Sequence, residues 1–274
     1  MNNALEKHTK PIRNHVTHVE DADYDEILSP NSLFFDILRV SGLLVTIFNF
    51  HRFNYLYIDP QFHELLGPSF PVTPGSPSNA SFYELVHPDD LHNLSMSDKN
   101  GYERFHLLPH SEREHYFMTC QFRIRSVTGE YICIHRQMHP LIYDKKNNLW
   151  MIYCIFDILP KKFDNETPEA WLINKKTLTK ESLLGNQCTI KAERIVTKYR
   201  LKLLQLINKG HTTDEIAEIL HISPITVYNH RKNIIADTKS DSIEQASYKY
   251  KLLGLLKMWI LFLVQFTDVL PNDF

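Results

Sequence analysis

The side chains best suited to chemistry in this chain lie in one short segment, residues 212–235. Its second half carries phenol, amide and cationic groups, with no acid before Asp237. The groups expected to point outward are Tyr228, Asn229, Arg231, Lys232 and Asn233. Such groups exchange hydrogen bonds with base edges and contact phosphates. The segment therefore indicates a surface that reads the major groove of DNA.

Two amphipathic helices joined by a tight turn are expected to position these groups. Thr212 and Glu215 have the spacing of a capping box, in which each side chain satisfies a backbone N–H near the other. Ser223 is a suitable N-cap for the second helix, and Pro224 suits its first position. The apolar stripe of the first helix is Ile216, Ala217, Ile219 and Leu220. The apolar side of the second is expected to be Ile225 or Thr226, Val227, Ile234 and Ile235.

The residues of this helical pair resemble the DNA-binding domain of the LuxR/GerE class of bacterial transcription regulators. The matching positions are Gly210, Thr212, Glu215, Ile216, Ala217, Leu220, Ile222, Ser223, Thr226, Val227, Asn229, His230, Arg231, Asn233 and Ile234. The resemblance covers about residues 196–256 and implies an all-α domain of four helices with a helix-turn-helix. An ordinary helical hairpin with a solvated face is the alternative, and the dense match disfavours it.

The resemblance implies a role for each outward side chain. Base edges are expected to be contacted by Tyr228, Asn229 and Lys232. Phosphates are expected to be contacted by Thr212, Thr226, Arg231 and Asn233. His230 also matches the pattern, and we expect it to be partly packed instead of reading bases.

The chain departs from the family pattern at two places. Arg200 and Lys202 stand where the family usually has two glutamates, so expected ionic partners are missing. Thr238 and Lys239 replace a Leu-Gly pair, which removes an apolar contact and a backbone-permissive C-cap. The resemblance therefore predicts the fold of this domain better than it predicts the domain's stability or its choice of operator.

The length of the chain and the distribution of its charges both indicate more than one domain. Its 274 residues suit two domains, and 43% apolar residues argue against wholesale disorder. The net charge of −2 is uneven, because residues 191–257 contain 12 Lys or Arg against 7 Asp or Glu, a balance of +5. Only this C-terminal part is attractive to a polyanion.

The preceding part of the chain shows strand patterns. Within residues 118–125, apolar and polar residues alternate with the period of a half-buried strand. Five strands are predicted, at 43–50, 53–58, 118–125, 131–142 and 149–159, with helices between the second and third. The fold class is thus α+β, with a five-stranded antiparallel sheet and helices followed by the four-helix domain.

Residues 33–159 resemble a PAS domain. The residues that carry the resemblance are Tyr57, Asp59, Phe62, Leu65, Leu66, Gly67, His87, Pro88, Asp89 and Asp90. It implies a curved antiparallel sheet whose concave face is covered by helices and which holds a small ligand or pairs with another copy. The flavin-binding cysteine motif is missing. Haem would need an axial donor such as His63, His87, His92 or His106, and it is disfavoured because a histidine at such a position is more often a surface or capping residue. We expect no cofactor, and the sequence leaves the ligand-binding residues unknown.

The remaining segments receive simpler interpretations. Residues 1–31 are predicted to be a flexible arm, and residues 160–191 a linker with a helical turn around Trp171, Leu172 and Ile173. The DNA-binding domain is expected at 192–257, after a sensing or dimerisation domain at 32–159. An apolar extension follows at 258–274. Its apolar run starts at Leu252 and is shorter than a bilayer span, so a dimer contact or buried helix is favoured over membrane association.

Several classes of protein are disfavoured. No phosphate-binding loop, nucleophile elbow or metal-binding His cluster is present, so neither an enzyme nor a metal site is predicted. Cys120, Cys133 and Cys154 fall on predicted strands and are expected in the core. We predict a cytoplasmic, homodimeric, sequence-specific transcription regulator that binds double-stranded DNA. The alternatives are a protein-interaction module with a DNA-binding-like domain, and a membrane-associated regulator held by the apolar tail.

Overall fold

A computed structural model describes residues 17–21, 23–24, 32–67, 70, 79–159, 169–184 and 193–256. These residues belong to two units. The N-terminal unit comprises residues 1–172 and 181–190, and the C-terminal unit comprises 173–180 and 191–274. The predicted arm at 1–31 is described only at residues 17–21 and 23–24, and the apolar extension at 258–274 lies outside the described residues.

The N-terminal unit is an antiparallel sheet with helices. Its first elements along the chain are helix α1 (Ser32–Val40), strands β1 (Leu44–Asn49) and β2 (Asn54–Ile58), and helices α2 (Gln61–Leu66), α3 (Asn79–Leu85) and α4 (Pro88–Leu107). A 3₁₀ turn at His110–His115 precedes β3 (Tyr116–Arg125), β4 (Tyr131–Tyr143) and β5 (Leu149–Ile158). All five predicted strands are therefore present, with helices between β2 and β3 as expected.

Among the described residues of this unit the sheet has seven strands, so the prediction of five is wrong. Its order is β2-β1-β5-β4-β3-β6-β7, where β6 is Ala170–Asn174 and β7 is Thr179–Ser182. Residues 170–172 and 181–182 of these strands belong to the N-terminal unit. The backbone N–H of Gln121 donates to Glu169 at 3.0 Å, which joins this segment to the edge of β3.

The predicted helical turn around Trp171, Leu172 and Ile173 is also wrong, because these residues lie in β6. A short apolar run carries no readable period, so its neighbours decide its conformation. Here the open edge of β3 supplies backbone partners, and Ala170 and Leu172 become buried.

Alternate residues of the strands build one core with the helices. Phe48, Phe122, Ile134, Ile152 and Phe156 lie on the face that packs against α2, α3 and α4. Edge-to-face aromatic pairs fill this space, such as Phe62 with Phe156 at 5.1 Å and Phe82 with Phe122 at 5.7 Å between ring centroids. The sheet therefore has one face covered by helices, as the PAS resemblance implies.

Helix α4 is fixed at its start by a buried carboxylate. Asp90 accepts hydrogen bonds from Arg123, at 2.7 Å from the backbone N–H, 2.9 Å from Nε and 2.7 Å from Nη2. Burial raises the pKa of Asp90, but the hydrogen bonds from Arg123 outweigh it, and the pKa is lowered. The charged pair therefore ties α4 to β3.

The C-terminal unit contains four helices among its described residues, which confirms the predicted four-helix domain. They are α5 (Lys198–Asn208), α6 (Thr213–Leu220), α7 (Pro224–Asp237) and α8 (Ile243–Leu252). In this unit, strand β8 (Glu193–Arg194) pairs with residues 179–180 of β7. The core of the helices is Leu203, Leu204, Leu206, Ile216, Ala217, Val227, Ile234, Ile243, Ala246 and Tyr250.

All four helices end in a Schellman motif, with one residue in the left-handed region. These residues are Gly210, His221, Lys239 and Gly254, with φ of 86°, 53°, 49° and 62°. In α7 the N–H of Ser240 donates to the carbonyl of Ile235 at 3.0 Å, and that of Lys239 to Ala236 at 3.1 Å. Lys239 thus adopts the conformation for which the family pattern has glycine, so the departure changes the residue and not the motif.

We predict that Lys239→Gly increases the free energy of unfolding by about 1 kcal/mol, because glycine avoids the Cβ clash of the left-handed region. Urea unfolding of the full chain followed by circular dichroism measures the change. Lys239→Ala is the matched control, since it removes the charge and keeps the Cβ. Equal gains from both variants would show that charge, and not backbone strain, is responsible.

Candidate functional sites

The start of α6 is fixed by the predicted capping box. Thr212 Oγ1 accepts from the Glu215 N–H at 3.3 Å, and Glu215 Oε2 accepts from the Thr212 N–H at 2.8 Å. The hydrogen bonds from Thr212 hold the pKa of Glu215 below its usual value, so the carboxylate stays charged. This prediction is confirmed, and it gives α6 a defined first residue.

The start of α7 is fixed equally well. Ser223 Oγ accepts from the Thr226 N–H at 3.2 Å, and Pro224 occupies the first helical turn, as predicted. His221 and Ile222 make the turn between α6 and α7, and the N–H of Ile222 donates to Ala217 at 2.9 Å. The two helices are therefore joined by a tight turn that backbone hydrogen bonds hold at the end of α6.

Two fully buried residues set the rotation of α7 about its own axis. Val227 and Ile234 have no exposed surface and lie two turns apart on the same side of the helix. Of the two candidates for the apolar side, Thr226 is half-buried, whereas Ile225 is 63% exposed. Ile225 therefore lies on the outer face of α7, and Thr226 is the one of the two that packs inward.

The three predicted base-contacting residues share that outer face. Tyr228 is 61% exposed, and Asn229 and Lys232 are also exposed. Residues three, four and seven apart lie on one side of a helix, so Ile225 joins these three side chains. We call this set of four residues, Ile225, Tyr228, Asn229 and Lys232, the reading face of α7. The spacing of residues 225, 228 and 232 in the sequence could have shown that Ile225 belongs to this face.

The residues predicted to contact phosphates flank the reading face or precede α6. Thr212 and Asn233 are exposed, while Thr226 and Arg231 are half-buried. Thr226 Oγ1 lies 2.8 Å from Ser223 Oγ, and Arg231 Nη1 lies 3.5 Å from Thr213 Oγ1. Thr212 and Thr226 thus stand at the first turns of two helices, where backbone N–H groups also attract anions.

His230 is half-buried on the inner side of α7, in agreement with the expected packing. Its ring centroid lies 5.1 Å from that of Tyr199 on α5. The sequence pattern did not predict that Tyr199 contacts α7. No local pattern could have done so, because the contact joins residues on different helices.

The one acidic side chain of α7 lies at the end of the helix away from Tyr228. Asp237 is the first acid after the start of α7, and it forms an ion pair with Arg200 of α5. Arg200 removes the ionic partner that a glutamate would offer, but it forms an ion pair with Asp237 instead. The pair neutralises the single acid of α7 at the end remote from Tyr228.

The N-terminal unit contains a cavity of about 50 Å³ between the sheet and the helices. Its walls are mainly aromatic and aliphatic, and its polar lining is Thr46, Tyr55, Tyr83, Asp98, Tyr102 and Arg136. Arg136 and Asp98 form a buried ion pair, and Tyr83 donates to the same carboxylate. Burial and the Asp98 charge raise the pKa of Tyr83 well above its usual value, so it remains a donor.

One donor of this ion pair is left over. Arg136 Nε has no hydrogen-bond partner among the described residues, although the side chain is 8% exposed. A buried N–H without a partner costs free energy that an added acceptor recovers. The arrangement can therefore bind one acceptor atom of a small, mainly apolar molecule.

The described part of the chain shows no metal-binding cluster and no membrane-spanning helix. No group of three or more His, Cys, Asp or Glu side chains that could hold a metal ion is found there. Within the same residues, no helix combines the length and the apolar character needed to cross a membrane. Cys120, Cys133 and Cys154 are free thiols buried in the sheet, as expected of core residues.

Comparison with solved structures finds chains that resemble this one at low sequence identity. VqmA of Vibrio cholerae is 13% identical, with 84% of this chain and 92% of that chain covered, at a TM-score of 0.30. A phage VqmA, solved as a complex with DPO, is 13% identical, with coverages of 87% and 93% and a TM-score of 0.34. The N-terminal domain of a Marinobacter aquaeolei diguanylate cyclase with a PAS/PAC sensor is 19% identical, covers 43% of this chain and 94% of its own, and has a TM-score of 0.30.

Sequence comparison identifies the C-terminal domain more directly. No curated protein matches the chain. A family model does match residues 195–246, and its description is bacterial regulatory proteins, luxR family. The matched residues contain the capping box, the turn at His221 and the reading face of α7. Residues 195–246 therefore form a helix-turn-helix domain of the luxR family of bacterial regulatory proteins.

Proposed function

We propose that this DNA-binding transcription regulator is sequence-specific, acts in the cytoplasm as a homodimer, and responds to a small ligand in its N-terminal cavity. In this proposal, residues 32–159 sense the ligand and residues 192–257 bind double-stranded DNA. The observation that carries it is the exposed reading face of α7, which bears polar and cationic groups and no acid, within the luxR-family domain. The activity is binding, and no catalytic step is proposed.

Tyr228, Asn229 and Lys232 are proposed to contact base edges. The side-chain amide of Asn229 suits adenine, which offers one donor and one acceptor in the major groove, and Lys232 suits the two acceptors of guanine. The phenol of Tyr228 both donates and accepts. Their common exposure on one side of α7 allows all three to enter the same groove.

Thr212, Thr226, Arg231 and Asn233 are proposed to contact phosphates. Arg231 is the strongest of these, because its charge is held beside Thr213 while its remaining N–H groups stay available. Phosphate contacts fix the position of a protein on the duplex and carry no sequence information by themselves. The two sets of residues therefore have separable effects.

We predict that Asn229→Ala relaxes the preference at one base pair, at a cost of about 1 to 3 kcal/mol on the preferred sequence. Arg231→Ala should weaken binding to every duplex and reduce its dependence on salt. Titration of the full chain against selected and random duplexes at several salt concentrations measures both effects.

Equal losses on selected and random DNA for both variants would contradict this division of roles. Asp214→Asn is the control, since this exposed acid lies on α6 in the capping turn and outside the proposed contacts. Lack of affinity for random duplex DNA even at low salt would instead favour the protein-interaction module, and the proposed function would then be wrong.

Homodimerisation is proposed because a single reading helix contacts too few base pairs to distinguish one site in a genome. A two-fold pair doubles the number of contacts and matches an operator with two-fold symmetry. We place the contact on the fourth helix, α8. Among its residues, Tyr248 is a half-buried aromatic side chain, and Lys251 Nζ lies 5.8 Å from its ring centroid.

We expect two chains per operator duplex, and Tyr248→Asp should lower the dimer population because a charge is disfavoured in an apolar contact. Sedimentation of the full chain, free and with DNA, measures this. Glu244→Ala is the control on the same helix, since Glu244 is exposed. A single chain per duplex with full sequence preference would contradict the proposed dimer.

Ligand sensing is proposed from the shape and polarity of the cavity. Its size leaves room for about four water-sized groups, so the ligand is small or the lining side chains move to admit it. The unpaired Nε of Arg136 supplies a specific contact in mainly apolar surroundings.

We predict that a small organic molecule copurifies with the wild-type chain and is lost from Cys154→Leu, which fills the cavity. Cys133→Leu is the matched control, because Cys133 is an equally buried thiol on a neighbouring strand that does not line the cavity. Both variants should lose about 1 to 3 kcal/mol of stability from overpacking. Mass spectrometry of the denatured protein checks the prediction, and equal retention by both variants would contradict it.

A further inference from the structure

One member of the reading face has no polar group. Ile225 is the second residue of α7 and is 63% exposed, although Val227 and Ile234 of the same helix are fully buried. Exposed isoleucines are common on protein surfaces, so the exposure alone indicates nothing. What distinguishes Ile225 is its place on the same side of the helix as Tyr228 and Lys232.

The position of Ile225 along the helix is equally important. In helix-turn-helix domains the N-terminal residues of the second helix contact base edges. Ile225 lies in that first turn, between the N-cap Ser223 and Tyr228. The burial of Val227 and Ile234 fixes the helix rotation, so Ile225 cannot turn inward without exposing them.

The chemistry of the major groove limits what an isoleucine can contact there. Base edges present hydrogen-bonding groups in the groove, with one exception, the C5 methyl group of thymine. An aliphatic side chain satisfies none of the polar groups and therefore covers them at a cost. The branched side chain of isoleucine also has few rotamers, so its methyl groups are held in place before binding.

We infer that Ile225 is a specificity-determining residue that selects thymine by packing against its C5 methyl group. This inference rests on the proposed DNA binding and adds an apolar contact to the three polar ones. Ile225 selects thymine at one position in each half-site, adjacent to the base pairs read by Tyr228 and Asn229. Burial of one methyl-sized group corresponds to about a fourfold difference in affinity.

The test uses the full-length chain and a duplex selected by it from a random pool. Each thymine of the selected duplex is replaced in turn by uracil, which removes only the methyl group. Wild-type protein should lose about fourfold in affinity at one thymine of each half-site, and Ile225→Ala should be indifferent to that replacement. Ile225→Val keeps a branched side chain and should retain part of the effect.

Ile219→Ala is the matched control, because Ile219 is an isoleucine that is 41% exposed but lies on α6, outside the reading face. It should respond to uracil as the wild type does. Circular dichroism verifies that all variants keep their helices, so a loss of discrimination is not a loss of folding.

The outcomes separate the two levels of the proposal. Selective DNA binding in which wild type and Ile225→Ala respond identically to every uracil replacement overturns the role of Ile225 and leaves the proposed function intact. A selected site without thymine in the half-sites overturns it as well. Failure of the chain to bind any duplex at low salt overturns the proposed function and, with it, this inference.

Discussion

The burial of Val227 and Ile234 is the constraint on which the DNA-binding surface depends. Both side chains are fully enclosed, and they lie two turns apart along α7. A helix advances about 100° per residue, so fixing two positions on one side fixes the direction of every other side chain. The reading face is therefore a consequence of core packing, because the two buried anchors determine which side of α7 faces outward.

Helix ends contribute a second constraint, since they fix where each helix starts and stops. The starts use side chains, Thr212 with Glu215 at α6 and Ser223 at α7. The ends use backbone geometry, and the same Schellman motif recurs in all four helices of the unit. At two of these ends the left-handed residue is His221 or Lys239, at a cost of about 1 to 2 kcal/mol each relative to glycine. Since α6 and α7 meet at His221, that strain lies within the helix-turn-helix itself.

The parts of this structure that could be predicted from the sequence depend on local interactions. The capping residues, the start of α7 at Pro224 and strands β1 to β5 follow from spacing within a few residues. The parts that were missed depend on distant partners. Strands β6 and β7 form because β3 offers an open edge, and the Arg136–Asp98 pair joins β4 to α4 across residues that show no common pattern. The position of Ile225 was only partly predictable. Its spacing from Tyr228 and Lys232 is visible in the sequence, but the sequence does not show that Thr226, and not Ile225, packs inward.

The Arg200–Asp237 pair shows why a departure from a family pattern is not simply a loss. A glutamate at position 200 would leave the carboxylate of Asp237 facing another acid, at the end of the helix proposed to contact base edges. An arginine there cancels the charge of Asp237 and ties α5 to the end of α7. Because the pair is partly exposed, its contribution to stability is small, about 0 to 1 kcal/mol. Its larger effect is on the electrostatic field of the domain, because it neutralises the one acid of α7, the helix that also carries Arg231 and Lys232.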